Sequence, residues 1–535
     1  MNLQTPHNKG RNRNTPLYIL AGFTAFVYLG FICHRYFTDG LSAAYLIETS
    51  DTWIVHPNHP LFPLLPQYIY RLLGGETREL DALGLLNVWS SIAGCLSVFG
   101  IIYMLRSARV SVAVTLIGTA IFAFSAGTWY FNVTGNQYST AILLHVLCLV
   151  LCVKLIKSDA EPDTRLKIML PFLFAFAVAF HEVNIFLLVP IAYTLYVTGK
   201  NPTYGVRSAL VITVFAILLT ALIFTILAVS IGGVDSLPDF INWQKSYVTR
   251  PWYWAHGPVD SLTRSFTGAI SLHVAEIHSS SGILGDWSGG PVSIISKILQ
   301  FIILAGILFI TIKSLISYFR DETDRRISNL ALAVWLPYLI FSFVFTPEST
   351  NYRIFYMPGF ILFLSCFLEK FSAGGTKLKK LALPALLAVL LLATNFTFKF
   401  LPGSNIGNNP LIYEAVRLSA TAGPGDLIIY SGAEQDYLRA DYAKYFARCD
   451  TALLPDVISG IRNNPEFVID DIGRRFENGN ILVIHEDALY SEEDLEFLNN
   501  FYGMDIREGE LEDFIKTRHA VANVIVINDK QYLIF

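Results

Sequence analysis

Apolar residues gather along this chain in long runs, at roughly 16–33, 82–105, 110–127, 138–156, 208–231, 293–316, 328–345, 354–370 and 381–398. Each comes close to the about 20 residues a helix needs to cross the hydrocarbon layer, so each predicts a transmembrane helix. A further run, from Ile168 to Val197, is too long for one crossing and is interrupted by "HEVN", His181 to Asn184. Polar groups are costly in mid-bilayer, so this run predicts two short helices meeting at a polar tip, and the total becomes eleven segments. Beyond residue 400 the pattern changes. Short β-rich runs, "DLIIYSG", "NILVIHED" and "VANVIVIND", alternate with helix-like stretches such as "EQDYLRADYAKYFA" and "SEEDLEFLNNFY", which predicts a small α/β layer structure. The expected fold is a polytopic α-helical membrane protein of about 11 transmembrane segments with a C-terminal extracytoplasmic α/β domain. Its parts are a cytoplasmic N-terminus (1–15), a transmembrane domain (16–400) with outward loops at 34–80 and 232–292, and a soluble domain (401–535).

Composition agrees with a lipid environment: 53% of the 535 residues are hydrophobic and 15% are charged, more apolar than a soluble core requires. Charge is divided between the regions. From Leu401 onward there are 23 Asp and Glu against 11 Lys and Arg, whereas the first 400 residues hold 20 against 28. The basic residues also set the orientation, because Lys and Arg concentrate in cytoplasmic loops. An N-terminus inside puts Lys9, Arg11 and Arg13, then Arg106 and Arg109, Lys154 and Lys157, Lys200 and Arg207, Arg320, Arg325 and Arg326, and Lys377 to Lys380 on one side. The first loop, the long loop and the tail then emerge on the opposite face. The basic N-terminus precedes an apolar run that has no small-residue cleavage site, so it reads as a retained anchor. Six cysteines, five of them in or beside apolar runs, outline no disulfide framework. The expected location is the plasma membrane with the working face periplasmic or extracellular, or the endoplasmic reticulum membrane in a eukaryote. The bilayer is the expected partner, with no nucleic acid.

Candidate chemistry lies on the outward face. The first loop carries Asp39, Glu48, Asp51, His56 and His59, and its proline-punctuated segment "HPNHPLFPLLPQYIYRLL" should lie along the membrane surface as an amphipathic helix. Short turns present Asn132, Asn136 and Gln137, then His181 and Glu182, then Glu348, Asn351 and Arg353; the long loop adds Lys245, Arg250 and His256 among Trp243, Trp252, Tyr253 and Trp254. Any one of these has a plainer reading as a helix end or an interfacial belt residue. "HVAEIH" spaces His273 and His278 five apart, unlike the i, i+4 pair of the zinc helix motif. A divalent cation, magnesium or manganese, held by Asp39 together with a substrate phosphate suits such a loop, although no spacing demands it. "NVT" at Asn132 and "NFT" at Asn395 are formal N-glycosylation sequons.

An acid just after the first span, a surface helix, a polar turn after the third span, two half-helices and an outward C-terminal domain together resemble the GT-C glycosyltransferases, a superfamily of integral membrane enzymes. Local likeness is to the protein O-mannosyltransferase-like members, whose first loop runs D-S-G-E…HP-x-x-Y-P-L. Asp39 matches the Asp, and "HPNHPLFPLL" matches the later element with one residue fewer between its prolines. "WYFNVTGNQYS" is similar to their W…E-V-Y element at Trp129 and Tyr138, and "HEVNIFLLVP" to the half-helix pair. The family's second acid of the first loop falls on Ser42, and its Glu after the third span on Asn136. The resemblance implies transfer of a sugar from a polyprenyl-phosphate donor to an acceptor glycan, lipid or protein. In that reaction Asp39 is the base, and Arg353 binds the leaving phosphate with His56, His59, Lys245 or Arg250 as helpers. His181, Glu182, Asn136 and Glu348 position the substrates. Alternatives are a polysaccharide polymerase or O-antigen-ligase-like enzyme, a non-catalytic relative keeping the fold, or a transporter.

Overall fold

The structure is a computed structural model describing residues 14–75, 80–158, 163–246, 254, 257–274, 291–320, 325–373, 377–502, 504–516 and 520–535. It divides into two compact units. The first holds Met1–Cys33, Asp51–Val248 and Tyr253–Ser404, and the second holds His34–Ser50, Thr249–Trp252 and Asn405–Phe535.

Helices make up the first unit almost entirely. In chain order they are α1 (Thr15–Gly30), then, after α2 (Thr38–Thr49) of the second unit, α3 (Leu61–Leu72), α4 (Ala82–Ser107), α5 (Val112–Phe124), α6 (Ala126–Val133), α7 (Tyr138–Lys157), α8 (Thr164–Phe180), α9 (Leu188–Val197), α10 (Pro202–Ser230), α11 (Leu237–Lys245), α12 (Pro258–His273), α13 (Pro291–Arg320), α14 (Arg326–Val344), α15 (Thr350–Arg353), α16 (Met357–Ser372) and α17 (Lys377–Asn395). Among the described residues, seven helices are long and apolar enough to cross a membrane. The pair α5 and α6, bent by 63° at Ser125, makes an eighth. Helices stand at all the predicted positions, but the criterion is met by seven or eight, not eleven. The shortfall is one of length: α1 has 16 residues, α8 has 17 and α9 has 10.

The faces of these helices explain their burial. α10 and α13 expose Leu210, Leu218, Phe301 and Phe309, as helices apolar all round do when lipid covers them. α4, by contrast, is drawn tightly against α6 and α7. A Cβ at Gly94 would lie 2.5 Å from Asn132, and one at Gly100 would lie 2.6 Å from Val146, so only glycine permits this approach. At the predicted half-helix break, His181 leaves helical geometry (φ −166°, ψ 121°) and a 3₁₀ turn, Glu182–Leu187, leads into α9. Asn184 secures the break: its amide donates to Ala177 O at 2.9 Å and Ala141 O at 3.3 Å, and its oxygen lies 3.1 Å from His145 Nδ1. Both sequon asparagines are buried, and Asn395 donates to Phe124 O and His273 O at 2.7 and 2.8 Å. Neither presents its amide to a glycosylating enzyme.

The second unit is built on a five-stranded sheet: β1 (Leu427–Tyr430), β2 (Asp450–Leu453), β3 (Leu482–His485), β4 (Asn523–Ile527) and β5 (Lys530–Ile534), in the order β2-β1-β3-β5-β4. β2, β1 and β3 are parallel; β5 pairs antiparallel with β3 and with β4. β1 and β3 are buried throughout, as continuous apolar runs covered on both faces should be. One core of Ile429, Leu454, Ile458, Leu482 and Ile484 and another of Ile428, Tyr430, Val483 and Tyr532 lie against the sheet. Three strands match the sequence expectation. β2 reads "DTAL" and β5 "KQYLI", too short and mixed for a periodic signal. The β4–β5 hairpin turns at Asn528 and Asp529, both with positive φ, as a two-residue hairpin turn requires.

Candidate functional site in each unit

In the second unit, α2 follows the extended Phe37 and carries Asp39 in its first turn, where the helix dipole favours a carboxylate. Ser42, three residues on, shares its face. Ser42 Oγ donates to Asp441 Oδ1 at 3.2 Å. Asp441 lies on helix Glu434–Tyr442, almost 400 residues away in sequence, yet it stands beside the position where the O-mannosyltransferase-like pattern carries its second acid. Burial, with the Asp39 carboxylate adding to it, pushes the Asp441 carboxyl up to about 7. Glu48 is engaged otherwise: its carboxylate takes an ion pair from Arg448 and a 2.8 Å hydrogen bond from Tyr445. α2 is anchored further by Tyr442, whose hydroxyl accepts from Tyr36 N at 2.6 Å. No sequence window could have revealed Asp441, because only the fold of the tail brings it to α2.

In the first unit, the structure gathers the histidines singled out in two separate segments. His56 and His59 stack, with ring centroids 4.1 Å apart, and His59 lies 6.1 Å from His181. Tyr138 lies 5.1 Å from His181, and its hydroxyl accepts from Asn351 Nδ2 at 2.7 Å. The His-Pro loop is joined to the half-helix tip through Glu182 N, which donates to Asn58 O at 2.8 Å. Gln244 of α11 donates to Pro57 O at 2.9 Å, bringing the helix that ends in exposed Lys245 against the same loop. Three polar atoms in this cluster are buried without a hydrogen-bond partner: His59 Nδ1, His181 Nε2 and Asn58 Oδ1. Orphaned buried groups are expensive in a purely structural element and mark where a ligand could be received. Burial, then the neighbouring His56 and His181, drive the His59 ring well toward its neutral form. It offers a ligand a hydrogen bond, not a charge.

Other expected site residues are committed elsewhere. Arg353 is 1% exposed; its Nε and Nη2 donate to Pro347 O, and Nη2 also donates to Ser342 O at 3.2 Å. The guanidinium therefore caps the end of α14, in the geometry of a structural clamp. Gly268 of α12 makes room for it, since a Cβ there would collide with Arg353 Nε and lie 2.6 Å from Pro347 O. Glu348 accepts from Arg264 at 2.6 Å. Asn136 is buried and holds its own turn, donating to Phe131 O and Thr134 O and accepting from Tyr138 N at 2.8 Å. That leaves its amide no free donor for a substrate. Arg250 and His256 lie outside the described residues, as does His278.

Residues 45–204 match the model of the protein O-mannosyl-transferase TMEM260 N-terminal domain. That segment contains His56, His59, Asn136, His181 and Glu182, and begins six residues after Asp39. Comparison with curated protein sequences gives no match. Among solved structures, ArnT from Cupriavidus metallidurans in the apo state superposes with a TM-score of 0.60 at 12% identity, covering 97% of this chain and 98% of that one. ArnT from the same organism bound to undecaprenyl phosphate gives a TM-score of 0.58 at 11% identity over the same shares. At such identities the likeness is one of fold. It extends over nearly the whole of both chains, and the chain is thus an integral, multi-pass membrane protein that shares the fold of ArnT.

Proposed function

We propose that the protein is a glycosyltransferase that moves a sugar from a polyprenyl-phosphate donor to an acceptor on the non-cytoplasmic face of the membrane. The observation that carries this reading is Asp39, in the first turn of the helix that follows the first apolar segment, with Asp441 beside it. Such a transfer needs a carboxylate to accept the proton of the attacking hydroxyl or amine while the bond from the sugar C1 to phosphate breaks. Asp39 is assigned that role. Asp441, with its carboxyl raised to about 7, keeps its proton part of the time near neutrality, and two adjacent carboxylates do not readily ionise together. The His56, His59, His181 and Tyr138 cluster is assigned hydrogen-bonding of sugar or acceptor hydroxyls, the task for which neutral rings and orphaned polar atoms are suited. A divalent cation acting with the donor phosphate would take carboxylate ligands, for which Asp39 and Asp441 have the right donor atoms.

The ArnT structure with undecaprenyl phosphate supports a lipid-phosphate donor, and the O-mannosyl-transferase model supports a transferase. The concentration of Lys and Arg in the opposite set of loops supports a reaction on the face that carries the first loop, the long loop and the tail. The test is transfer by purified protein from polyprenyl-phosphate sugars in detergent with native lipid. Asp39→Asn is expected to lose about 10²- to 10⁴-fold in rate, the usual contribution of a general base, and to accumulate unreacted lipid-linked sugar. Full activity in Asp39→Asn would remove the assignment of the base.

A further inference from the structure

A second constellation lies wholly inside the C-terminal unit. The chain leaves β1 for β2 on one side and later enters β3 on the other side of β1. That reversal lies at the carboxyl ends of β1 and β3, the place where open parallel sheets receive ligands. Four polar residues converge there. Ser431 follows β1, Asp436 sits in the first turn of helix Glu434–Tyr442, His485 ends β3, and Asp487 lies two residues beyond it. His485 Nδ1 is 3.3 Å from Asp436 Oδ2 and 3.6 Å from Asp487 Oδ2. One donor atom from each of Asp436, His485 and Asp487 lies within 4.8 Å of the others, and among the described residues this is the one group of three such side chains so arranged.

Burial distinguishes this group from a surface acidic cluster. Asp436 is 2% exposed and His485 is 0% exposed; His485 Nδ1 faces only carboxylates, and its Nε2 has no hydrogen-bond partner. The fully buried Tyr430 hydroxyl is orphaned as well. An imidazole nitrogen left without a partner in a closed interior is expensive, a cost that a Lewis-acidic partner on the ring would remove. The local charge balance points the same way. Asp436, Asp487, Asp494 and Glu414 face Arg439 and Lys530, with Arg439 2.5 Å from Asp436 and Lys530 2.7 Å from Asp487. Carboxylates thus outnumber cations around the cluster. Lys530 is about one-third exposed and its flexible stem can swing to solvent, so it stands where a stronger counter-ion could displace it. Ser431 supports the arrangement from behind, donating to Asp436 Oδ2 through both N and Oγ, as groups outside the coordination sphere commonly do for metal-binding carboxylates.

We propose that Asp436, His485 and Asp487 bind a divalent cation of the zinc or manganese type, which locks the ends of β1 and β3 together. The donor set decides the class. One imidazole with two carboxylates suits zinc and manganese, whereas calcium and magnesium favour all-oxygen shells and copper(I) favours sulfur. The site is separate from Asp39 and does not depend on the transferase reading.

The test uses the full-length protein in detergent, stripped with chelator and dialysed, then titrated calorimetrically with Zn²⁺ and with Mn²⁺, with bound metal counted by mass spectrometry. It is run in the Asp39→Asn background, so that a cation held at Asp39 does not contribute. One equivalent should bind and raise the melting temperature. Asp487→Asn, at the more accessible ligand, should weaken binding by about 10- to 100-fold, and His485→Gln should do the same where it folds. Lys530→Ala should bind several-fold more tightly, because the competing cation is gone. That last change is opposite in direction to what loss of a merely structural ion pair would produce. Absence of stoichiometric metal in the stripped and retitrated protein, undiminished binding in Asp487→Asn, or unchanged affinity in Lys530→Ala would each overturn the proposal.

Discussion

Asp441 and Asp39 define what a single residue contributes here. Because the folded Asp441 carboxyl titrates at about 7 while an unfolded one titrates near 4, the native protein holds an extra proton between those values. Stability contributed by this group is therefore greatest below about pH 4 and declines as pH rises toward 7. Asp441→Asn should match the wild type in stability at pH 4 and exceed it at pH 8, by up to about 4 kcal/mol. If the pair acts as proposed, the variant's transfer rate should also lose a pH dependence centred near 7. A uniform stability change at both pH values would show that Asp441 is not held protonated. Arg353 makes the opposite point. If it gripped a donor phosphate, Arg353→Lys would raise the donor KM and leave melting unchanged. Its bonds to Ser342 O and Pro347 O lead us to expect a lower melting temperature instead, each orphaned carbonyl costing about 1–3 kcal/mol. Asp39 stood out as a candidate in the sequence because it is an acid just beyond the first apolar run. Asp441 was not, because a contact across almost 400 residues leaves no local trace. Arg353 was legible as a charge, but only its carbonyl partners reveal how that charge is spent.

At the scale of elements, the polar interruption at His181 to Asn184 translated directly into a helix break, since a polar tip inside a 30-residue apolar run has few other solutions. The apolar periodicity likewise marked every long helix. What it did not mark was the way helices close on one another, which here depends on glycine. Gly268→Ala puts a methyl group against Arg353 Nε and the carbonyls of Pro347 and Glu348. We expect destabilisation of about 1–3 kcal/mol, the usual cost of overpacking, read as a lowered melting temperature in detergent. A Gly268→Ala protein as stable as the wild type would mean that α12 has room to shift. The two strands missed in the tail failed for a related reason. β2 and β5 gain their structure from pairing with β1 and β3, and four or five residues of mixed character do not announce that pairing.

For the whole molecule, the basic residues and the apolar runs predict an orientation, whereas helix length and composition alone support only seven or eight crossings. The difference rests on α1 and the two half-helices, whose lengths fall below a full span. A cysteine placed at exposed Glu508 reports the side of the tail directly: Glu508→Cys should react with an impermeant maleimide added outside intact cells. Labelling only after permeabilisation would reverse the proposed sidedness. The division into units carries a practical consequence. Residues 34–50 pack with the C-terminal residues, although they lie between two segments of the membrane unit, and α2 is held by Tyr442, Asp441, Tyr445 and Arg448. Truncation at residue 404 would therefore not yield a minimal enzyme. It would cut the candidate base away from every residue named here as its scaffold, and a soluble fragment beginning at 405 would lack the helix that those residues were folded to receive. Anyone dissecting this protein by deletion should expect both halves to fail for the same reason, and an isolated tail is better rebuilt with residues 34–50 joined to it by a linker.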